Sequence, residues 1–184
     1  MSKLTVVYLQ STGHVLAAVT RAAPPDSAEQ VTALTGPHLP VRGIGGASPV
    51  AVSFPADYLA ATTVDDEPDV LLDPHGFEVV ENVQKDGTTH YLVRRLGVTG
   101  NVTPKFDSGK ATVKINFQPA TPLPMVAVLQ RVKSPLPAEI INRPIPKDQP
   151  ADTPITLDTV DDTSWEVLVF VQSQPPIAVS KSSP

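Results

Sequence analysis

The chain carries two kinds of apolar stretch. In Ala111-Thr112-Val113-Lys114-Ile115-Asn116-Phe117 every second side chain is apolar, the pattern of a strand with one covered and one wet face. It predicts Val113, Ile115 and Phe117 buried, with Lys114 and Asn116 exposed. The second kind does not alternate. Val6-Val7-Tyr8-Leu9, Met125-Val126-Ala127-Val128-Leu129 and Val167-Leu168-Val169-Phe170-Val171 are apolar on both faces, which predicts strands covered on two sides, by further layers or by another subunit. On the second account Val6, Tyr8, Met125, Val128, Leu168 and Phe170 are candidate interface residues.

Turn signals divide these stretches. Leu4–Gln10 and Val15–Thr20 flank Ser11-Thr12-Gly13-His14, a hairpin connection with a glycine free to adopt positive φ. Phe77–Val83 and Thr89–Leu96 flank Gln84-Lys85-Asp86-Gly87, where Asp-Gly marks a tight hairpin. One helix is expected near 27–34: Asp26 or Ser27 can cap it, Glu29 or Gln30 can close a capping box, and Gly36-Pro37 stops it. From His38 to Pro49 glycines and prolines predict a loop, followed by a strand at Val50–Phe54. Leu59–Val64 and Val70–Leu72 read as apolar segments on either side of the acidic turn Asp65-Asp66-Glu67-Pro68-Asp69. Six prolines between Ser134 and Pro154 predict an extended connection.

Composition narrows the choice. The 184 residues are 41% hydrophobic, sufficient for a core, while 21 prolines and 5% aromatic residues argue for short segments and against long helices. The expected fold is mainly β, an antiparallel sandwich or open barrel with the one short helix. The chain reads as a single β domain, or as two similar β halves of about 1–96 and 97–184 joined through the proline-rich stretch at 134–154. Weak internal similarity supports halves: Thr63-Val64-Asp65-Asp66 recurs as Thr159-Val160-Asp161-Asp162.

A net charge of −5 spread along the chain offers no positive stripe for a phosphate backbone. Arg94 and Arg95, an adjacent basic pair, would point to opposite faces of a strand. Nucleic acid is therefore not an expected partner. No apolar run approaches the roughly 20 residues of a membrane helix, and the first ten residues lack the length and flanks of a cleavable signal, so a cytoplasmic protein, or one exported without a cleaved signal, is expected, without membrane contact. The chain has no cysteine, which removes disulfides, thiolate metal sites and cysteine nucleophiles.

The remaining chemistry is weak. Gly43-Ile44-Gly45-Gly46-Ala47-Ser48 lacks the helix that a phosphate-binding fingerprint opens, and Ser48 lacks the second glycine of a nucleophile elbow. His14, His38, His75 and His90 show no metal-ligand spacing. Asp65, Asp66, Glu67, Asp69 and Asp73 lack the spacing of a calcium loop and read as a solvated turn, as do Asp161 and Asp162. Asn101-Val102-Thr103 is formally a glycosylation acceptor, set aside because Pro104 follows and no signal precedes. No catalytic, cofactor or metal residue is thus expected. The sequence points to a non-catalytic structural or adaptor subunit of a multi-protein assembly, of phage-tail-like or shell-like kind, whose partners are proteins, itself or other subunits. The alternative is a small-ligand or glycan-binding β module in which Tyr58, Tyr91 or Trp165 stack on the ligand.

Overall fold

The computed structural model describes residues 3–20, 28–44, 50–85, 87–97, 101–132, 138–161 and 163–181. The fold is mainly β, with antiparallel sheets and two short helices. The chain folds into two compact units, the first made of Met1–Pro40 and Ser53–Leu96, the second of Val41–Val52 and Gly97–Pro184. Among the described residues, no helix is long and apolar enough to cross a membrane.

In the first unit, β1 (Lys3–Leu9) is the middle strand of a sheet flanked by β2 (Val15–Thr20) and β5 (Leu59–Asp65). Because β1 is central, both of its faces need cover, and they receive it differently. Leu4, Val6, Val15 and Val64 form one face and pack with Val70, Phe77 and Val79. Val70 comes from helix α2 (Pro68–Leu72), and Phe77 and Val79 come from β6 (Phe77–Val83), which forms a two-stranded ribbon with β7 (Thr89–Arg95). The opposite face, which holds Thr5 and Val7, lies towards α1 (Ala28–Thr35). The expected helix is therefore present, and Gly36 ends it with φ of 69° while its N–H bonds the Thr32 carbonyl at 2.8 Å. The expected caps Asp26 and Ser27, and Asp86 of the Asp-Gly turn, lie outside the described residues.

Two segments differ from the sequence reading. Val70–Leu72 belongs to α2, because Pro68 sits in the first helical turn, where its fixed φ and missing donor cost nothing. His38–Ile44, expected as loop, is β3 and pairs with β4 (Val50–Pro55). Pairing there overrides the glycine and proline signals, and Pro40 is tolerated because a two-stranded ribbon leaves free edges. Gly45, Gly46, Ala47, Ser48 and Pro49 lie outside the described residues.

The second unit is a sandwich. The sheet β12-β9-β8, from Ile155–Thr159, Lys110–Ile115 and Val102–Asp107, faces the sheet β11-β10-β13-β14, from Glu139–Asn142, Met125–Arg131, Trp165–Val171 and Ile177–Lys181. Val102, Ala111, Val113 and Ile115 on one side meet Met125, Ala127, Leu129, Val167, Val169 and Val171 on the other. The expected period holds for Val113 and Ile115, both fully buried, and for exposed Asn116. Phe117 and Lys114 are each half-buried, the strand ends at Ile115, and Thr112 on the outer face is also buried.

Within the proline-rich stretch, the described residues from 138 onward are tied to the second unit. Glu139–Asn142 adds an edge strand to β10, and Ile145, fully buried, exchanges backbone bonds with Leu123 at 2.8 and 3.1 Å. An edge needs donors on one side only, so prolines 144 and 146 fit beside it. Residues 133–137 lie outside the described part.

Candidate functional site

The six residues expected at an interface are placed mostly inside. Val6, Met125, Leu168 and Phe170 are fully buried, Val128 is 1% exposed, and Tyr8 is half-buried. Within the chain the five buried side chains present no outward surface, while Tyr8 keeps a partial one. Burial, with the neighbouring Tyr91 and Glu81 charges, pushes the Tyr8 phenol up to about 12.

The acidic turn is exposed from Asp65 to Asp69, as expected, and its Asp65 and Asp69 carboxylates are paired on the surface. Arg94 and Arg95 do point apart: Arg94 bonds the buried Glu78 carboxylate, its Nε at 2.8 Å, while Arg95 reaches Asp69 at 2.6 Å and lies 5.0 Å over the Phe77 ring. In the acidic turn, Lys3 holds the Asp65 carboxyl below its usual range. His14 is buried, with Nδ1 3.0 Å from the Thr12 hydroxyl, in a turn that docks on β6 through a backbone bridge to Glu78. His75 lies 3.4 Å from the Val15 carbonyl, and His38 and His90 are exposed. Among the described residues no group of three or more His, Cys, Asp or Glu could hold a metal ion. Asp162 lies outside the described residues.

Asp161 is a hub rather than a free turn residue. Its carboxylate accepts bonds from the Thr163 N–H at 3.1 Å and from the Thr163 hydroxyl and the Trp165 indole at 2.5 and 2.9 Å, and it pairs with Arg131 at 2.8 Å. These donors lower its pKa to about 2, Thr163 contributing most. A depressed carboxylate stabilises the fold above its unfolded pKa near 4, and that contribution is lost as pH falls towards 2. Acid titration followed by the fluorescence of Trp165, the single tryptophan, is expected to show a transition in this window. In Asp161→Asn the transition should be absent or much reduced; an unchanged profile would refute this assignment.

Of the aromatics expected to stack on a ligand, Trp165 and Tyr91 are engaged within the fold. Trp165 is 9% exposed and has the Arg131 guanidinium 5.0 Å over its ring. Tyr91 packs against the Val6 cluster, and Tyr58, half-buried, offers its carbonyl to Gln10.

A concave feature among the described residues lies in the first unit. Between α1 and the Thr5 face of the β1–β2 pair is a cleft of about 360 Å³, within the size range of small-ligand sites. Thr5 and Val7 from β1, and Ala17 and Val19 from β2, form its floor; Ala33, Leu34 and Thr35 of α1 and Leu39 of β3 form the wall. Among the described residues, no charged side chain lines it. Ala17 in the floor and Ala33 in the wall are short side chains that leave the space open. The helix is held across this space by its exit: the Thr35 hydroxyl bonds the Val31 and Gly36 carbonyls at 3.0 and 2.8 Å, and the Ala56 N–H bonds the Pro37 carbonyl at 3.0 Å. Sequence reasoning missed this cleft. Its signal was the pair of small residues inside Val15-Leu16-Ala17-Ala18-Val19, which matters only once the facing helix is known.

No protein-family model, curated protein or solved structure matches the chain.

Proposed function

We propose that the chain is a non-catalytic binding protein whose first unit takes a small apolar molecule in the cleft beneath α1. The observation that carries this reading is the cleft itself: about 360 Å³ of space, lined among the described residues by aliphatic side chains and two threonines, with no charged group. An apolar molecule entering it would remove apolar surface from water on both sides at about 25 cal/mol per Å². The floor is a three-stranded sheet with a packed reverse face, which keeps the site formed without its ligand.

The test uses the intact protein and N-phenyl-1-naphthylamine, which fluoresces in apolar surroundings. Saturable binding at one site is expected, and Ala17→Leu, which fills the floor, should weaken it at least tenfold while far-ultraviolet circular dichroism stays unchanged. Equal binding by the folded variant would overturn the reading.

A second reading, the structural or adaptor subunit of a protein assembly, is favoured by the β6–β7 ribbon, which exposes Val83 at 65% on one face and Leu92 at 44% on the other. A self-assembling subunit would show a concentration-dependent mass by sedimentation that Val83→Ser with Leu92→Ser abolishes. A monomer at every concentration would remove the self-assembling form of this reading.

A further inference from the structure

We infer that the ligand of the α1 cleft is a neutral amphiphile, an aliphatic or cyclic hydrocarbon body bearing one hydroxyl group that is bound at Thr5. The inference rests on the reading of the cleft as a ligand site and adds the chemistry of what enters it.

The position of the polar groups carries the argument. Thr5 is 2% exposed and lines the floor in the middle of the central strand, between Val19 on β2 and Thr63 on β5 in the strand register. Cross-strand neighbours on one face stand about 5 Å apart, so Thr63, which does not itself line the cleft, stands beside Thr5 at the border of a floor that is otherwise Val7, Ala17 and Val19. The Thr63 hydroxyl is buried and has no hydrogen-bond partner among the described residues. Buried hydroxyls are usually satisfied, and one left over marks where a polar atom is wanted. A ligand hydroxyl suits Thr5 because it can donate to or accept from the threonine hydroxyl that lines the floor, whereas a hydrocarbon can do neither. An ionised ligand is disfavoured, since among the described residues no cation lines the cleft to offset desolvation of a carboxylate. Thr35, on the far wall, already spends its hydroxyl proton on backbone carbonyls, which leaves Thr5 as the donor of the floor.

The experiment measures displacement of N-phenyl-1-naphthylamine from the full chain by cyclohexanol, methylcyclohexane and cyclohexanecarboxylate, which have similar bodies, in the wild type, Thr5→Val and Ala17→Leu. Cyclohexanol is expected to bind roughly 3–10-fold tighter than methylcyclohexane, the range of one net hydrogen bond, and the carboxylate at least tenfold weaker than the alcohol. Thr5→Val keeps the shape of the side chain and should erase the preference for the alcohol while leaving methylcyclohexane binding intact. If alcohol and hydrocarbon bind equally, or if Thr5→Val leaves the preference standing, the inference fails and the apolar cleft survives. If no compound displaces the probe and Ala17→Leu does not affect it, the cleft reading fails with it. Should Thr5→Val unfold, Thr5→Ser supplies the control: it retains the hydroxyl and is expected to keep the preference.

Discussion

Leu129→Ala is expected to destabilise the second unit by about 3–5 kcal/mol, the upper range for a buried leucine truncated to alanine. Leu129 is 1% exposed, lies on the inner face of β10 and pairs with Val167 across the ladder. It belongs to the core that holds the sandwich together, packed with residues such as Val113 from the opposite sheet. Two sheets on either side cannot close over the lost atoms without shifting whole strands, so most of the cavity should persist. The distribution of chromophores allows the effect to be located. The single tryptophan, Trp165, lies in the second unit, and all three tyrosines, Tyr8, Tyr58 and Tyr91, lie in the first. Urea unfolding followed by tryptophan emission should show the loss as a lower midpoint, with Leu92→Ala, on an exposed position, within about 0.5 kcal/mol of wild type. A Leu129→Ala stability within about 1 kcal/mol of wild type would contradict the two-sheet core.

What was legible in the sequence was whatever depends on neighbours along the chain. The alternation through Ala111–Ile115, the two-faced runs at β1, β10 and β13, the Asp-Gly ribbon and the glycine-stopped helix are each local patterns, and each corresponds to an element. What was not legible depended on distant pairing. β3 becomes a strand by pairing with β4 despite its glycine and proline, and Glu139–Asn142 becomes one because the edge of β10 is open beside it. Burial on both faces of the apolar runs was likewise readable, while the agent of that burial was not: a run such as Val6–Leu9 reads the same whether α1 or another subunit lies over it. The candidate site was invisible for the same reason. Ala17 and Ala33 are unremarkable until the fold sets them on opposite sides of one space.

Gly13→Ala is the second large effect, expected at about 3 kcal/mol, through two separable causes. Gly13 has φ of 78°, a left-handed conformation that costs an alanine roughly 1–2 kcal/mol. Its place in the fold adds a second penalty, because a Cβ built there would lie 2.7 Å from the Val79 carbonyl oxygen. That atom is backbone, and it cannot swing away as the end of a flexible side chain would. The same close approach is what ties the β1–β2 turn to β6: the Val79 N–H donates to the Gly13 carbonyl at 2.7 Å, and the Gly13 N–H donates to that of Leu9 at 2.8 Å. Relieving the clash by moving the turn would therefore break the Val79 bond and shift His14 and Thr12, both buried beside it. Gly87 provides the control. It has φ of 85° at the tip of the β6–β7 ribbon, but nothing lies within 4 Å of its would-be Cβ. Gly87→Ala should incur the conformational cost alone, about 1–2 kcal/mol. The loss in Gly13→Ala should appear in the near-ultraviolet tyrosine signal of the first unit at lower urea than in Gly87→Ala. Equal losses in the two variants would mean that the turn yields at Val79 and that the close approach there contributes nothing to stability.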